Sequence, residues 1–230
     1  MKKYFLKSYF YLIAFPLISR VLIPIFRSFA KPLGLKVYFG QFGEDNFLSD
    51  NLPHSGFYLE IGCNHPVLAS NSFSLYLKGW SGLVIDANSS LKHLWRISRP
   101  KDLFIGAMIA TDEKEADFFI HRANFVSTGS RKHRERFNKD EFTAQRIRTR
   151  NINNILHENK INKIDLIIID IEGMDQEVLF SLDLKSYKPT FINIEDHDFN
   201  HGSKIFKFLT SNGYELCYLN HPSMIYRIKT

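Results

Sequence analysis

The sequence predicts an α/β chain built on a doubly wound, mostly parallel sheet that ends in an antiparallel β-hairpin and is preceded by an apolar, basic, helical N-terminal appendage. Three observations predict it. From residue 41 onward, short continuous apolar runs alternate with helix-like stretches, the pattern of strands buried on both faces and joined by helical crossovers. Near the C-terminus, two apolar runs flank Asn220-His221-Pro222-Ser223, a turn that suits antiparallel strands. The segment 1–40 carries seven basic groups and no acid, whereas the segment 41–230 holds 23 Lys/Arg against 24 Asp/Glu.

The first element is residues 4–26, YFLKSYFYLIAFPLISRVLIPIF, an aromatic and aliphatic run broken by Lys7, Pro16, Arg20 and Pro24. No small-residue cleavage site follows it, which argues against a secretory signal. Within 8–26, eleven Phe, Leu, Ile and Val residues favour insertion by about 3–7 kcal/mol, and a central Arg20 opposes it by about 2.5–3.5 kcal/mol. Two prolines add to the opposition, so these terms do not assign a span. The flanking basic groups suit a segment lying in the interface of an anionic leaflet, on the cytoplasmic face of a membrane. The other reading is a helix packed on the body's own apolar surface.

The body, 41–230, offers strands at 57–62 (FYLEIG), 82–86 (GLVID), 103–109 (LFIGAMI), 164–170 (IDLIIID) and 190–195 (TFINIE). Helices fit between them at 72–78, 89–98, 152–159, 174–182 and 203–212, and the closing hairpin pairs 214–219 with 224–228. Such an order implies right-handed crossovers. Residues 121–150 break the rhythm, with eight Lys/Arg against three acids between Arg131 and Arg150. That stretch reads as a solvated basic helix or as a basic cap over the site.

Composition excludes several classes. With 21 Phe and 10 Tyr against 12 Gly, the chain is neither disordered nor fibrous. Cys63 and Cys217 match no metal-ligand spacing and no disulfide framework, which fits a reducing compartment. The net charge of +6 belongs to the segment 1–40, so a long nucleic-acid footprint on the body is disfavoured.

The turn after the first strand reads Glu60-Ile61-Gly62-Cys63-Asn64-His65-Pro66. A single glycine lets a ligand approach the backbone beyond the strand's carboxyl end. Further glycines are absent, which favours a ligand without a diphosphate. Asp86 ends the second strand, where a carboxylate can accept from both ribose hydroxyls of an adenosine-type cofactor.

Five stretches, 41–48 (QFGEDNFL), 56–66 (GFYLEIGCNHP), 70–88 (SNSFSLYLKGWSGLVIDAN), 106–110 (GAMIA) and 165–179 (DLIIIDIEGMDQEVL), together resemble the FkbM family of S-adenosylmethionine-dependent methyltransferases. The motif Asp170-x-Glu172-Gly173 is the most specific; Pro66 stands where most members have glycine. The resemblance implies a class I Rossmann-like fold, S-adenosylmethionine as cofactor, and a cofactor set of Gln41, Glu44, Glu60, Gly62, Asn64, Ser72, Asp86, Ala87, Ala107, Met108 and Asp170. Within that set Glu60 and Gly62 would face the amino-acid tail, Asp86 the ribose, and Ala107 and Met108 the adenine.

Methyl transfer to oxygen needs an aligned acceptor and a group to take its proton. Asp170, Glu172, Glu195 and His197, at the ends of the fourth and fifth strands, are the catalytic candidates. Helix capping is the alternative for the first two, and an exposed loop position for His197. Asp196, His197, Asp198 and His201 are of metal-ligating type, but nothing in their spacing makes them converge, and no metal is assigned. The resemblance implies O-methylation, with a glycan, lipid-linked sugar or secondary metabolite as acceptor. An RNA methyltransferase is the alternative enzyme, disfavoured because no Asn/Asp-Pro-Pro-aromatic motif follows the fourth strand. A non-catalytic tethered module would require damage to Gly62, Asp86 or the Asp170 motif, and none is visible.

Overall fold

The computed structural model describes residues 39–122 and 126–229. The apolar N-terminal segment lies outside them; among the described residues no helix is long and apolar enough to cross a membrane. Helix α1 (Glu44–Asn51) leads into β1 (Phe57–Ile61), α2 (Phe73–Lys78), β2 (Ser81–Asp86), α3 (Lys92–Ser98) and β3 (Leu103–Gly106). Next come β4 (Met108–Ile109), β5 (Glu115–His121), α4 (Arg131–Arg134), β6 (Phe142–Arg150), α5 (Ile152–Glu158) and β7 (Leu166–Ile169). The chain finishes with α6 (Asp175–Ser181), α7 (Leu184–Tyr187), β8 (Phe191–Glu195), α8 (Lys204–Ser211), β9 (Tyr214–Asn220) and β10 (Ser223–Ile228).

Seven strands form one sheet in the order β3-β2-β1-β7-β8-β10-β9. All pairings from β3 to β8 are parallel, and β10 runs antiparallel to both β8 and β9. This is the doubly wound, Rossmann-like sheet with a terminal antiparallel hairpin that the sequence predicts. The order reverses between β1 and β7, so a crevice opens beyond their carboxyl ends, where ligands bind in open α/β sheets.

Strand periodicity divides the core. Leu59, Ile61, Leu83, Ile85, Ile167, Ile169, Ile192 and Ile194 meet Ile155, Leu156, Val178, Leu179 and Leu209 on one face. Tyr58, Val84, Leu166, Ile168 and Ile225 meet Leu48, Leu75, Trp80 and Trp95 on the other. Side-chain caps start α5 and α8: Asn151 accepts from the Asn153 N–H, and Ser203 from the Phe206 N–H.

Two expectations change. The predicted strand 103–109 is split at Gly106-Ala107. There the Ala107 N–H donates to the Asp86 carbonyl at 2.9 Å, and β4 leaves the main sheet to pair with β6. The 121–150 stretch is not a basic helix. It holds the helical turn α4, a 3₁₀ turn at Lys139–Glu141 and the strand β6, whose residues 142–148 pair antiparallel with β5. Strands β4, β6 and β5 make a separate three-stranded sheet. Part of its charge is neutralised internally: Arg131 and Arg146 reach Asp117 at 2.7 and 3.7 Å, and Arg150 reaches Glu158 at 2.6 Å. That pairing weakens the case for an RNA-binding surface on this stretch.

Candidate active site

The β1 turn is built from below. The period of two that sends Leu59 and Ile61 to one face sends Tyr58 and Glu60 to the other, onto a fully buried Arg99. The Arg99 Nε donates to Asp102 at 2.6 Å, Nη1 to Ser70 Oγ and the Pro66 carbonyl at 3.1 and 3.2 Å, and Nη2 to Tyr58 Oη and Ser72 Oγ at 2.5 and 2.8 Å. Ser72 Oγ passes its own hydrogen to Glu60 at 2.5 Å. The guanidinium also lies 4.4 Å from the Trp95 ring. One cation thus ties β1 to both ends of the 66–72 segment.

Burial pushes the Glu60 carboxyl up to about 7, with Arg99 and Ser72 opposing it. The folded chain therefore binds this proton more tightly than the unfolded chain does. Stability from it is complete below the ordinary value of 4.5 and is lost as pH rises through about 7. Burial raises Glu44 to about 7 in the same sense. Unfolding free energy is expected to be about 2 kcal/mol larger near pH 5.5 than near pH 8 on account of Glu60. Urea denaturation across that range checks this; a dependence as steep in Glu60→Gln would exclude Glu60 as the source.

At the turn itself, Gly62 has φ +85, and a Cβ there would stand 1.7 Å from the Asp170 carbonyl oxygen. The neighbouring strand ends approach so closely only because no side chain intervenes. Asp86 Oδ2 accepts from the Asn64 N–H and Oδ1 from the Asn88 N–H, each at 2.8 Å. Burial raises its pKa, and those two N–H groups hold it back. Each oxygen keeps a second lone pair for a ligand hydroxyl. His65 Nδ1 accepts from the Val67 and Leu68 N–H groups at 3.2 and 3.0 Å, and burial lowers its pKa to about 4, so it holds the turn as a neutral ring.

After β7, Glu172 takes φ +54 and Gly173 φ +95. The left-handed Glu172 is held from both sides. Asp175 accepts from the Ile171 and Gly173 N–H groups at 3.0 Å each, and the Thr128 hydroxyl donates to the Glu172 carbonyl at 2.7 Å. A non-glycine residue fixed in this conformation at a loop tip is the kind of strain that aims a functional side chain. Burial, reinforced by Glu195, Glu172, Asp175 and Glu44, pushes the Asp170 pKa well up.

One cavity runs along the β1 and β2 ends, with about 790 Å³ of empty space including its mouth. Of the residues expected to hold cofactor, Gln41, Glu60, Gly62, Asn64, Asp86, Ala87, Ala107, Met108 and Asp170 all line it. Glu44 and Ser72 do not. The Glu44 carboxylate accepts from the Gln41 and Phe42 N–H groups at 3.1 and 2.7 Å, and Ser72 is held between Glu60 and Arg99, so both act one layer behind the lining. Glu172 lines the same cavity.

A second cavity, around Glu195, His197, Asp196, His133, Lys132 and Arg136, adjoins it across Glu172. His197 Nε2 lies 3.3 Å from Glu195 Oε2, and hydrogen bonding to Glu195 raises the His197 pKa. The structure thus brings Glu172, Glu195 and His197 into one group. Sequence reasoning missed His133, a 5% exposed imidazole on α4 with Nε2 3.0 Å from Glu172 Oε2. It also missed Phe118 on β5 and Gly129 in the loop before α4, which close the first cavity. A histidine in a basic run carries no local signal of burial.

The family model for the methyltransferase FkbM domain matches residues 60–216. No curated protein matches the chain. Among solved structures, it is similar to a TehB-like SAM-dependent methyltransferase from Corynebacterium glutamicum ATCC 13032 Kitasato (12% identity, TM-score 0.45), covering 94% of this chain and 100% of that one. It is also similar to an O-methyltransferase from Bacillus cereus in complex with SAH (12% identity, TM-score 0.46, 81% and 79% covered). A third is a precorrin-6y C5,15-methyltransferase from Geobacter metallireducens GS-15 (13% identity, TM-score 0.44, 80% and 88% covered). The family match spans well over half of the sequence, from the β1 carboxylate Glu60 into β9, and the chain belongs to the FkbM family of S-adenosylmethionine-dependent methyltransferases.

Proposed function

We propose that the protein transfers a methyl group from S-adenosylmethionine to a hydroxyl of a glycan, lipid-linked sugar or secondary metabolite. The observation that carries this reading is the acidic lining of the first cavity, whose buried carboxyls a cationic ligand would draw into the ionised form. Glu60, Asp86, Asp170 and Glu172 line it, and no lysine or arginine is among its described lining residues. Such a lining suits a ligand bearing a sulfonium and an ammonium and repels a diphosphate. Asn71 adds a buried Oδ1 without a hydrogen-bond partner on the same wall, a ready acceptor for the ligand's ammonium. The residues therefore fit the cofactor.

When bound, S-adenosylmethionine supplies an electrophilic methyl on a sulfonium. The chain's own part is then to orient and to draw off a proton. Asp86, preset by two backbone N–H groups, would accept from the ribose, and Gly62 would leave the backbone open to the tail. Glu172, Glu195 and His197 stand between the two cavities, where an acceptor hydroxyl would have to give up its proton. The outer cavity adds Ser130, Gln176 and Asp198, hydrogen-bonding groups suited to a polyhydroxylated acceptor. The loop after β7 has no proline pair for holding a planar amino group, which favours oxygen over a base amine. The basic N-terminal segment 1–40 supports an acceptor presented at an anionic membrane.

Asp86→Ala is expected to weaken S-adenosylhomocysteine binding by about 1–3 kcal/mol, since two backbone N–H groups and the ribose hydroxyls lose their acceptor. Calorimetric titration of the full chain checks this, and an unchanged affinity would move the ribose elsewhere. The function itself is tested with methyl-labelled S-adenosylmethionine, full-length protein, and separated glycan, lipid-linked oligosaccharide, small-metabolite and RNA fractions. Alkali-stable methyl ether in any of the first three supports the reading. Label confined to RNA would overturn it.

A further inference from the structure

Glu172, Glu195 and His197 each offer one ligand atom, and the three atoms lie within 4.8 Å of one another. This is a different set from the aspartates and histidines that the sequence places side by side near 196–201. The group is assembled from two strand ends: the strained loop after β7 supplies Glu172, and β8 with the residues just beyond it supplies Glu195 and His197. Nitrogen and oxygen ligands about 2.1 Å from a common cation stand about 3.0 Å apart along an octahedral edge. Within the group, His197 Nε2 and Glu195 Oε2 stand 3.3 Å apart. The contact of His133 Nε2 with Glu172 is not a hydrogen bond, although that nitrogen is buried.

A second observation points to a ligand at the same place. Asp196 is 7% exposed and lines the cavity shared by Glu195, His197 and His133. Its Oδ1 accepts from the Asp198 N–H at 3.1 Å, while its buried Oδ2 has no hydrogen-bond partner. A carboxylate so placed is satisfied by a donor such as a water held on a cation. Among the described residues, no lysine or arginine forms an ion pair with Glu172, Glu195 or Asp196.

We propose that Glu172, Glu195 and His197 bind a divalent cation of the Mg²⁺/Mn²⁺ class, and that this cation receives the acceptor hydroxyl. Two carboxylates leave positions for water and substrate, and one imidazole favours Mn²⁺ within that class. The consequence for catalysis rests on the O-methyl transfer proposed above; cation binding stands separately. The cation polarises the acceptor O–H, and the proton leaves to water in the outer cavity. The oxygen forms its bond to the methyl carbon as the carbon–sulfur bond breaks, with the electron pair remaining on sulfur.

The test is titration of chelator-treated, full-length protein with MnCl₂, following the electron paramagnetic resonance signal of free Mn²⁺. S-adenosylhomocysteine affinity is measured on the same samples. One Mn²⁺ per chain is expected. Glu195→Gln and His197→Gln are each expected to weaken it at least about tenfold, with S-adenosylhomocysteine affinity within about threefold of the parent. His197 is the safer substitution, because its side chain is 34% exposed. Failure of Mn²⁺ to bind protein that binds S-adenosylhomocysteine would overturn the proposal, as would binding unchanged in His197→Gln. Mn²⁺ bound and lost with these variants, with label transferred only to RNA, would leave the cation site standing and remove the hydroxyl acceptor.

Discussion

Arg99→Met is expected to lower the unfolding free energy by about 3–5 kcal/mol, the range for stripping one partner from a buried ion pair. The guanidinium is fully buried, and both it and Asp102 have side chains with no exposure. Burial already pushes the Asp102 pKa up, and Arg99 and the Tyr58 hydroxyl hold it back. Without Arg99, Asp102 and Glu60 become buried acids lacking their cation, and the Pro66 carbonyl and Ser70 lose a donor. Methionine fills the volume but satisfies none of them. Lysine keeps the charge but lacks the planar fork that reaches five acceptors, so Arg99→Lys is expected to recover less than half of the loss. Urea denaturation near neutral pH reads both variants. A loss below about 1 kcal/mol in Arg99→Met would mean that the acids simply protonate in place.

Gly62→Ala is expected to abolish measurable S-adenosylhomocysteine binding and to destabilise the chain by about 3–5 kcal/mol. Two effects add. An alanine at φ +85 sits in left-handed space, worth about 1–2 kcal/mol. The added methyl would stand 1.7 Å from a backbone oxygen on β7's extension, which has no side-chain freedom to yield. The β1 and β7 ends must part, and the crevice between them is where the proposed function puts the cofactor. Gly79 separates the two effects: its φ is +114, and a Cβ there would meet only the His54 carbonyl, at 3.3 Å. Gly79→Ala is expected to cost only the conformational part. Equal losses at the two positions, with S-adenosylhomocysteine binding retained in Gly62→Ala, would refute the close-approach account.

What the sequence made legible is what local chemistry determines. The run Leu166-Ile167-Ile168-Ile169 has no reading but a buried strand, and the alternation from 57 to 195 orders the sheet. Asp86 and Gly62 were legible because a strand end and a single glycine define a ligand turn without reference to anything distant. The hidden parts depend on partners far away in sequence. Strand β6 (FTAQRIRTR) looks like a charge run; it is a strand because β5, well before it in the chain, supplies its ladder. Arg99 follows a serine and precedes a proline, as many surface arginines do, and only Trp95, Tyr58 and Ser72 packed around it show that it is internal. Glu172 was legible by motif, but its left-handed backbone depends on Asp175 and Thr128.

The small sheet β4-β6-β5 and the α4 turn form one unbroken stretch of chain between two strands of the large sheet. That stretch supplies Ser130, Lys132, His133 and Arg136 to the outer cavity, while the carboxylates Glu60, Asp86 and Asp170 that line the first cavity lie on or just beyond strands of the large sheet. Under the proposed function, one part of the acceptor wall is therefore written in a passage of the gene separate from the carboxylates of the donor turn. Mutation can rewrite this part of the outer cavity without touching the buried arginine network that holds the β1 turn. Exchanging this cassette between relatives, with Met108, Ile109, Phe118, Ser127 and Gly129 kept in place, is expected to shift acceptor preference and leave S-adenosylhomocysteine affinity behind.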